Sequence, residues 1–232
     1  MAELKSVYEN KGAGYFQSPR EDLVKLVKGT GLVVLDVGCG AGATGKRLLE
    51  TGQAKWVTGI ELVPSQAAIA QQSLNEVLVG DISQMEFNWT CGYFDYIIAG
   101  DVLEHLVDPS SVLKKLEPML RADGLLIASI PNVRHWWVIR DLVLLGEWRY
   151  EVAGVMDETH LRFFTRRSAG RLLHDSGFVT ISVQPFFWGP KTRMFDRLTL
   201  GMFEEFLSLR WLIQARPRRS RESTTSNDKV LL

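Results

Sequence analysis

The sequence predicts an α/β fold: a mostly parallel sheet with helices on both faces and an antiparallel strand near its end. Three observations carry this. Short apolar, β-branched runs alternate with helical patterns from Leu32 to Ile130, the spacing of strands joined by crossover helices. The first run leads into a glycine turn, Leu35-Asp36-Val37-Gly38-Cys39-Gly40-Ala41-Gly42, and then a helical pattern over Ala43 to Glu50. Late in the chain, Val179 to Phe187 and Leu209 to Ala215 read as a hairpin-like strand pair.

Composition narrows the class. The 232 residues suit one α/β domain with modest additions, and 46% hydrophobic residues are enough for a full core. Lys+Arg and Asp+Glu both number 27, so the chain lacks the basic excess expected of a nucleic-acid partner. Cys39 and Cys91 match no metal spacing and read as reduced, buried thiols of a cytoplasmic protein. The N-terminus has no apolar signal region, and no apolar run is long enough to span a bilayer.

In order, Ser18-Pro19-Arg20-Glu21 opens a helix, with Ser18 as cap, Glu21 completing a capping box and Leu23, Val24, Leu26 and Val27 as its apolar stripe. Upstream, Tyr8, Tyr15 and Phe16 either pack an N-terminal arm or form a lid. Strands are expected at Leu32–Val37, Trp56–Glu61, Glu76–Val79, Phe94–Ala99 and Gly124–Ile130, with Pro64 starting one helix and Asp108-Pro109 capping another through Leu120. After Pro131 the alternation breaks. Arg134 to Leu145 reads as an amphipathic helix, Arg166 to Ser176 as a helix stopped by Gly177, and Met194 to Glu205 as a further amphipathic helix. Residues 1–216 form the expected domain. Within it, 1–30 is an arm and helix, 131–166 and 188–206 are insertions covering a substrate, and 217–232 is a disordered tail.

The glycine turn is a ligand-binding turn. Glycines let backbone approach a ligand closely, and the following helix start presents N–H groups suited to a carboxylate or phosphate. Asp36, at the strand end, is placed to order the turn by accepting N–H bonds. Glu61 lies 25 residues after Asp36, near where an acid grips the vicinal hydroxyls of a ribose. Asp81, after Gly80, can accept from an adenine amine with Ile82 against the ring, or can be a plain turn aspartate. Asp36, Glu61, Asp81, Gly100 and Pro131 all fall at carboxyl ends of predicted strands, where ligands of such sheets bind.

Gly38-x-Gly40-x-x-Ala43 formally fits a dinucleotide fingerprint, so the turn alone leaves a nicotinamide-dependent oxidoreductase open. The fuller set is more specific: Val34-Leu35-Asp36-Val37-Gly38-Cys39-Gly40, Glu61, Gly80-Asp81-Ile82, Phe94-Asp95-Tyr96-Ile97-Ile98 with Glu104-His105-Leu106, and Leu120-Arg121-Ala122-Asp123-Gly124. In that order it resembles the motifs of class I S-adenosylmethionine-dependent methyltransferases. The likeness is to the type 11/type 12 group, which includes ubiquinone O-methyltransferases and enzymes of glycan and natural-product clusters. The resemblance implies a Rossmann-like seven-stranded sheet whose final strand is antiparallel, and S-adenosyl-L-methionine as cofactor. It implies that Gly38, Gly40 and Gly42 pass its methionine part, with Asp36 also counted among the cofactor-binding residues. It further implies that Glu61 holds the ribose, Asp81 and Ile82 the adenine, that Gly100 lies beside the sulfonium, and that Leu62 is among the cofactor-binding residues. Arg20 is either a partner for the cofactor carboxylate or a solvated surface residue. No Gly-Lys-Ser/Thr follows the turn, so a P-loop is not indicated.

For O-methylation the acceptor must lose a proton. Of four histidines, His160 is the first choice of base and His105 the second. His174 is read as a surface residue, and His135 sits among tryptophans. Asp157 is placed to orient His160, and Arg162 to pair with an anionic substrate. The histidines have no i, i+4 partner, so no metal is expected. The run Asp157 to Thr165 resembles a segment of group members found beside glycosyltransferases, which favours a sugar or glycan acceptor over a quinone-like or other small-molecule hydroxyl. A catalytically silent adapter is the rival reading. Trp211, Leu212 and the basic residues from Arg216 to Arg221 offer a peripheral membrane contact, though an edge strand and solvated tail are favoured. The oligomeric state is not legible.

Overall fold

The structure, a computed structural model, describes residues 18–218. Seven strands form one sheet in the order β3-β2-β1-β4-β5-β7-β6: β1 Leu32–Val37, β2 Ala54–Glu61, β3 Glu76–Val79, β4 Phe94–Gly100, β5 Leu120–Pro131, β6 Phe178–Phe186 and β7 Arg210–Pro217. The first five pair in parallel, and β7 lies antiparallel between β5 and β6. Chain reversal after β1, toward β2 on one side and β4 on the other, leaves a crevice at the strand ends.

Helices cover both faces: α1 Glu21–Val24, α2 Ala43–Glu50, α3 Pro64–Ala70, α4 Pro109–Leu116, α5 Trp136–Arg140, α6 Arg166–Asp175, α7 Gly189–Leu198 and α8 Glu204–Leu207. Successive strand residues point to opposite faces, and the core divides accordingly. Leu35, Ile97, Leu126 and Trp211 join one buried cluster, while their neighbours Val34, Ile98, Ile127 and Leu212 join the other. The central strands are thus apolar on both sides, which is why they read as continuous runs.

Several expectations are corrected. Ser18 does not cap α1: Arg20 occupies the N-cap position without a side-chain bond, and the helix is a single turn. Asp108 does cap α4, accepting from Ser111 N at 3.0 Å, but the helix ends at Leu116 and Leu120 already belongs to β5. The expected helix from Met194 to Glu205 is broken, because Leu200 (φ 53°) and Gly201 (φ 76°) turn left-handed between α7 and α8. Pro217 closes β7, and Arg218 N donates to Gly177 O at 2.7 Å, so the first two residues assigned to the tail belong with the sheet. Trp211 and Leu212 are buried in the sheet, which removes them from any membrane contact. Cys39 is buried, but Cys91 is exposed. Tyr8, Tyr15, Phe16 and the basic residues from 219 onward lie outside the described residues.

The two insertions present an unusual surface. A π-helical turn, Asp141–Leu145, and α7 have no buried residue, and Val143, Leu144, Trp188, Met194, Leu198 and Met202 are exposed. Val138, Val155 and Met156 anchor the first insertion through a small cluster with Trp137, Phe163 and Leu209. Among the described residues, no helix is long and apolar enough to cross a membrane.

Candidate active site

The turn after β1 is held from below. Gly38 N and Cys39 N donate to Ile60 O at 2.8 and 3.1 Å, and Gly40 N donates to Glu61 Oε2 at 2.8 Å. Three successive amides therefore point into the protein rather than toward a phosphate, which sets this turn apart from a phosphate-cradling loop. Gly38 is required here: its φ is +69°, and a Cβ would stand 2.6 Å from Val102 Cγ2. Glu61 also accepts from Val63 N at 2.8 Å. Burial raises its carboxyl above the usual range, opposed by the Val63, Gly40 and Leu62 amides.

Asp36 supports the turn from deeper, where its carboxyl is bonded by the Gly45 amide at the start of α2. It lies buried beneath the turn and does not line the cavity, and its Oδ2 has no hydrogen bond. Burial, reinforced by the Glu61 charge, pushes its carboxyl up to about 7. Gly42 is also set back: it is the left-handed N-cap of α2 (φ 81°), and a Cβ would meet Ala70 and Leu74 of the α3 side. Both are supports for the turn, not part of the wall.

Above the strand ends opens a cavity of ≈ 1190 Å³, lined by Gly38, Gly40, Glu61, Leu62, Asp81, Ile82 and Gly100, as well as Arg20, Glu104, His105 and His160. It is large enough for a cofactor and an acceptor together. Asp81 Oδ1 accepts from Ser83 N at 2.9 Å, the turn-aspartate arrangement, while the residue still faces the cavity. Gly100 has a second constraint: a Cβ there would stand 2.7 Å from Leu23 Cδ1, so it also admits α1 against the strand end.

Arg20 is not a solvated surface residue. Its guanidinium binds Asp101 at 2.6 Å, Asp22 at 2.8 Å and Ser129 Oγ at 3.0 Å. Burial alone would lower its pKa, but Asp101 and Asp22 outweigh that and hold it above the ordinary value. Asp101, which the sequence reading passed over, also binds Arg210 of β7 at 2.5 Å and accepts from Ser129 Oγ at 2.6 Å. Burial would raise its carboxyl, yet Arg210 and Arg20 bring it below the usual range. Its backbone is left-handed (φ 56°), a strained conformation for a residue other than glycine. The only sequence signal was its place just after a strand end.

The histidines converge. His105 and His160 stack edge to face with ring centroids 4.7 Å apart. His160 Nδ1 bonds Val155 O at 3.0 Å, and His105 Nδ1 lies 3.1 Å from Thr159 O. Asp157 accepts from Thr159 N and Oγ1 at 2.9 and 2.6 Å, and that hydroxyl lies 3.2 Å from His105 Nδ1, so Asp157 supports His105 through Thr159. Glu104 lies beside the pair, its Oε1 3.9 Å from His160 Nε2. Burial, with the nearby Asp101 charge, raises its carboxyl well above the usual range. Arg162 turns away, donating to Val107 O at 2.6 Å, and does not line the cavity. His174 lies half-exposed outside the cavity, while His135 lines it and is pushed down to about 4 by burial.

A doubly wound sheet, a phosphate-averse glycine turn and acceptor carboxylates at successive strand ends define a class of nucleoside-cofactor enzyme. Residues 12–183 match the family model described as a methyltransferase domain; the chain belongs to that family. Among curated relatives it is 36% identical over 115 residues to a ubiquinone biosynthesis O-methyltransferase of Bradyrhizobium diazoefficiens, covering 46% of this chain and 42% of that one. A protein of the same description from Aromatoleum aromaticum is 26% identical over 168 residues, 70% of each chain. The chain thus spans less than half the length of the first curated relatives it matches. Among solved structures, an S-adenosylmethionine-dependent methyltransferase of Mesorhizobium loti superposes with TM-score 0.61 over 84% of this chain and 96% of that one, at 17% identity. The methyltransferase in a complex with the Trm112 activator of Haloferax volcanii does so with TM-score 0.60 over 86% and 88%, at 14% identity. These likenesses bear out the seven-stranded sheet with its antiparallel end.

Proposed function

We propose that the protein is an S-adenosylmethionine-dependent O-methyltransferase whose acceptor is the hydroxyl of a quinone-like or comparable apolar small molecule. The observation that carries the cofactor assignment is Glu61, a buried carboxylate that ties the glycine turn from below and still faces the cavity. A carboxylate has acceptor capacity left for a vicinal diol, and inward-turned amides suit a cofactor without phosphates. Asp81 and Ile82 are the residues for the adenine, and Gly38 and Gly40 pass the methionine part. The cofactor supplies a methyl group already activated on a sulfonium. The protein holds the acceptor in line, excludes water and takes up a proton.

The acceptor reading departs from the sugar or glycan favoured by the run Asp157 to Thr165. What supports the quinone-like alternative is the description of the curated relatives and the apolar character of the mouth, where Trp136, Trp137 and Trp188 line the cavity. The acceptor oxygen would lie near Gly100, and its proton is managed by the cluster that holds His160 and His105, in that order of expectation.

A panel of phenolic, catecholic and sugar acceptors incubated with S-adenosylmethionine, read by mass increase of the acceptor, tests this. Methylation of the apolar aromatic hydroxyls supports the reading; methylation of sugars alone would restore the glycan acceptor.

A further inference from the structure

Two guanidinium groups meet at Asp101, and they are engaged to different degrees. Arg20 has no nitrogen to spare. Its Nε and Nη2 donate to the two oxygens of Asp22 at 2.9 and 2.8 Å, Nη2 also to Ser129 Oγ at 3.0 Å, and Nη1 to Asp101 Oδ2 at 2.6 Å. Arg210 makes one side-chain hydrogen bond among the described residues, from Nη1 to the same Oδ2 at 2.5 Å. Its Nε and Nη2 have no acceptor there and are not enclosed in the core, so both reach accessible surface.

The fold sets the plane and the place of this second group. Arg210 opens β7 opposite Pro131, the last residue of β5, and its guanidinium carbon lies 5.2 Å from the centroid of the Phe186 ring. Asp101 on one edge and Phe186 on one face hold the group flat. The edge that remains, Nε–H with one Nη2–H, is a fork of two parallel donors, the geometry that takes both oxygens of a carboxylate. Arg210 lines the cavity, and Pro131, Leu207, Leu209 and Trp188 line it too, an apolar surround for the rest of a ligand. In the sheet, β7 lies two strands beyond β4, roughly 10 Å from it, while β1 and its glycine turn lie on the other side of β4. The Arg210 side chain reaches back over the end of β5 to Asp101, so the fork stands on the acceptor's side of Gly100, away from the methionine part of the cofactor.

We propose that the free fork of Arg210 binds a carboxylate of the acceptor, so that the molecule methylated is an aromatic hydroxy acid. This rests on the methyltransferase reading and narrows its acceptor. Asp101 cannot fill the fork, because it meets Nη1 and is divided between two guanidinium groups. Glu104 is not a competing anion: burial, with the nearby Asp101 charge, raises its carboxyl well above the usual range. Two parallel charge-assisted bonds fix the orientation of the ring that carries the acid as well as its position. The hydroxyl is thereby held toward Gly100, in line with the methyl group, and the acid's negative charge is attracted by the sulfonium as well as by Arg210. Arg210 acts by placing and selecting the acceptor; the proton is still taken up elsewhere.

The test is calorimetric titration of 3,4-dihydroxybenzoate, and of its uncharged counterpart 3,4-dihydroxybenzamide, into the full chain saturated with S-adenosylhomocysteine. The expected result is that the acid binds at least tenfold more tightly than the amide. In Arg210→Gln the acid should fall to the level of the amide, while amide and S-adenosylhomocysteine affinities stay within about twofold of wild type. Arg210→Lys keeps the charge beside Asp101 but not the fork, and should retain only part of the preference. Circular dichroism reports that each variant is folded; should Arg210→Gln not fold, the wild-type ratio and Arg210→Lys decide. Equal binding of acid and amide, or binding of neither by protein that binds S-adenosylhomocysteine, overturns the proposal and leaves the methyltransferase reading standing. A preference for the acid that survives in Arg210→Gln also overturns it. So does a loss of S-adenosylhomocysteine affinity in that variant, which would assign the fork to the cofactor's own carboxylate. Wild-type protein with no affinity for S-adenosylhomocysteine fails the methyltransferase reading itself, and the acceptor assignment with it.

Discussion

His160 Nε2 and Glu104 Oε1 face each other across 3.9 Å, both side chains almost fully buried, though the residues belong to segments on opposite sides of β5 in the chain. The fold brings the irregular stretch before α6 back over the end of β4, and backbone bonds from Leu161 and Arg162 to Glu104 hold it there. That relationship sets a buried carboxylate and two imidazoles on the cavity wall beside Gly100.

His160→Asn should therefore lower turnover by roughly 10²–10⁴-fold while leaving S-adenosylhomocysteine affinity within about twofold. Comparing the two by steady-state kinetics and calorimetry checks this. Near-normal turnover would remove His160 from the reaction.

Asp101 links α1 to β7 through Arg20 and Arg210. Asp101→Asn leaves two guanidinium groups facing each other, of which Arg20 retains Asp22. The expected loss is on the order of 2–3 kcal/mol, discounted for the partial exposure of the group, read as a lower urea midpoint. An unchanged midpoint would mean that the two arginines do not depend on Asp101.

Asp36 gives a pH dependence with a definite sign. Its carboxyl titrates near 7 in the folded protein, against about 3.9 when unfolded. Between those values the unfolded chain has lost the proton that the folded chain keeps. Asp36 thus makes stability fall as pH rises from about 4 to about 7, and adds no further slope above that. Asp36→Asn should flatten this portion of a stability–pH curve measured by urea unfolding. An unaltered slope would show that another group carries it.

Gly38→Ala introduces a side chain at φ +69° and against Val102. Roughly 1–2 kcal/mol of destabilisation is expected from the backbone alone, read as a lower thermal midpoint. A neutral effect would mean that the turn relaxes freely.

How much of this was legible in the sequence differs by the range of the interaction. Strands β1 to β5 were readable because both their faces are buried, so Val34-Leu35 and Ile97-Ile98 show as unbroken apolar runs. Glu61 and Asp81 were readable because a strand end fixes which residue meets the crevice. Asp36, with the same positional signal, sits one layer too deep, a distinction of side-chain direction that spacing does not carry. The helix break at Leu200 was invisible because a leucine there takes the left-handed conformation normally left to glycine. Arg20 stayed open between two readings because its partners Asp101 and Ser129 are remote in sequence. Glu104 passed as part of a motif for the same reason: its meaning depends on His160, which a loop path and not a periodicity brings to it.

The central claim is the cofactor site around Glu61, and calorimetric titration of S-adenosylhomocysteine into wild-type protein and Glu61→Ala tests it most directly. The account predicts micromolar binding by the wild type and at least tenfold weaker binding by the variant, since the diol loses its acceptor and Gly40 N and Val63 N lose theirs. Binding of equal strength by a well-folded variant, or none by the wild type, would contradict it.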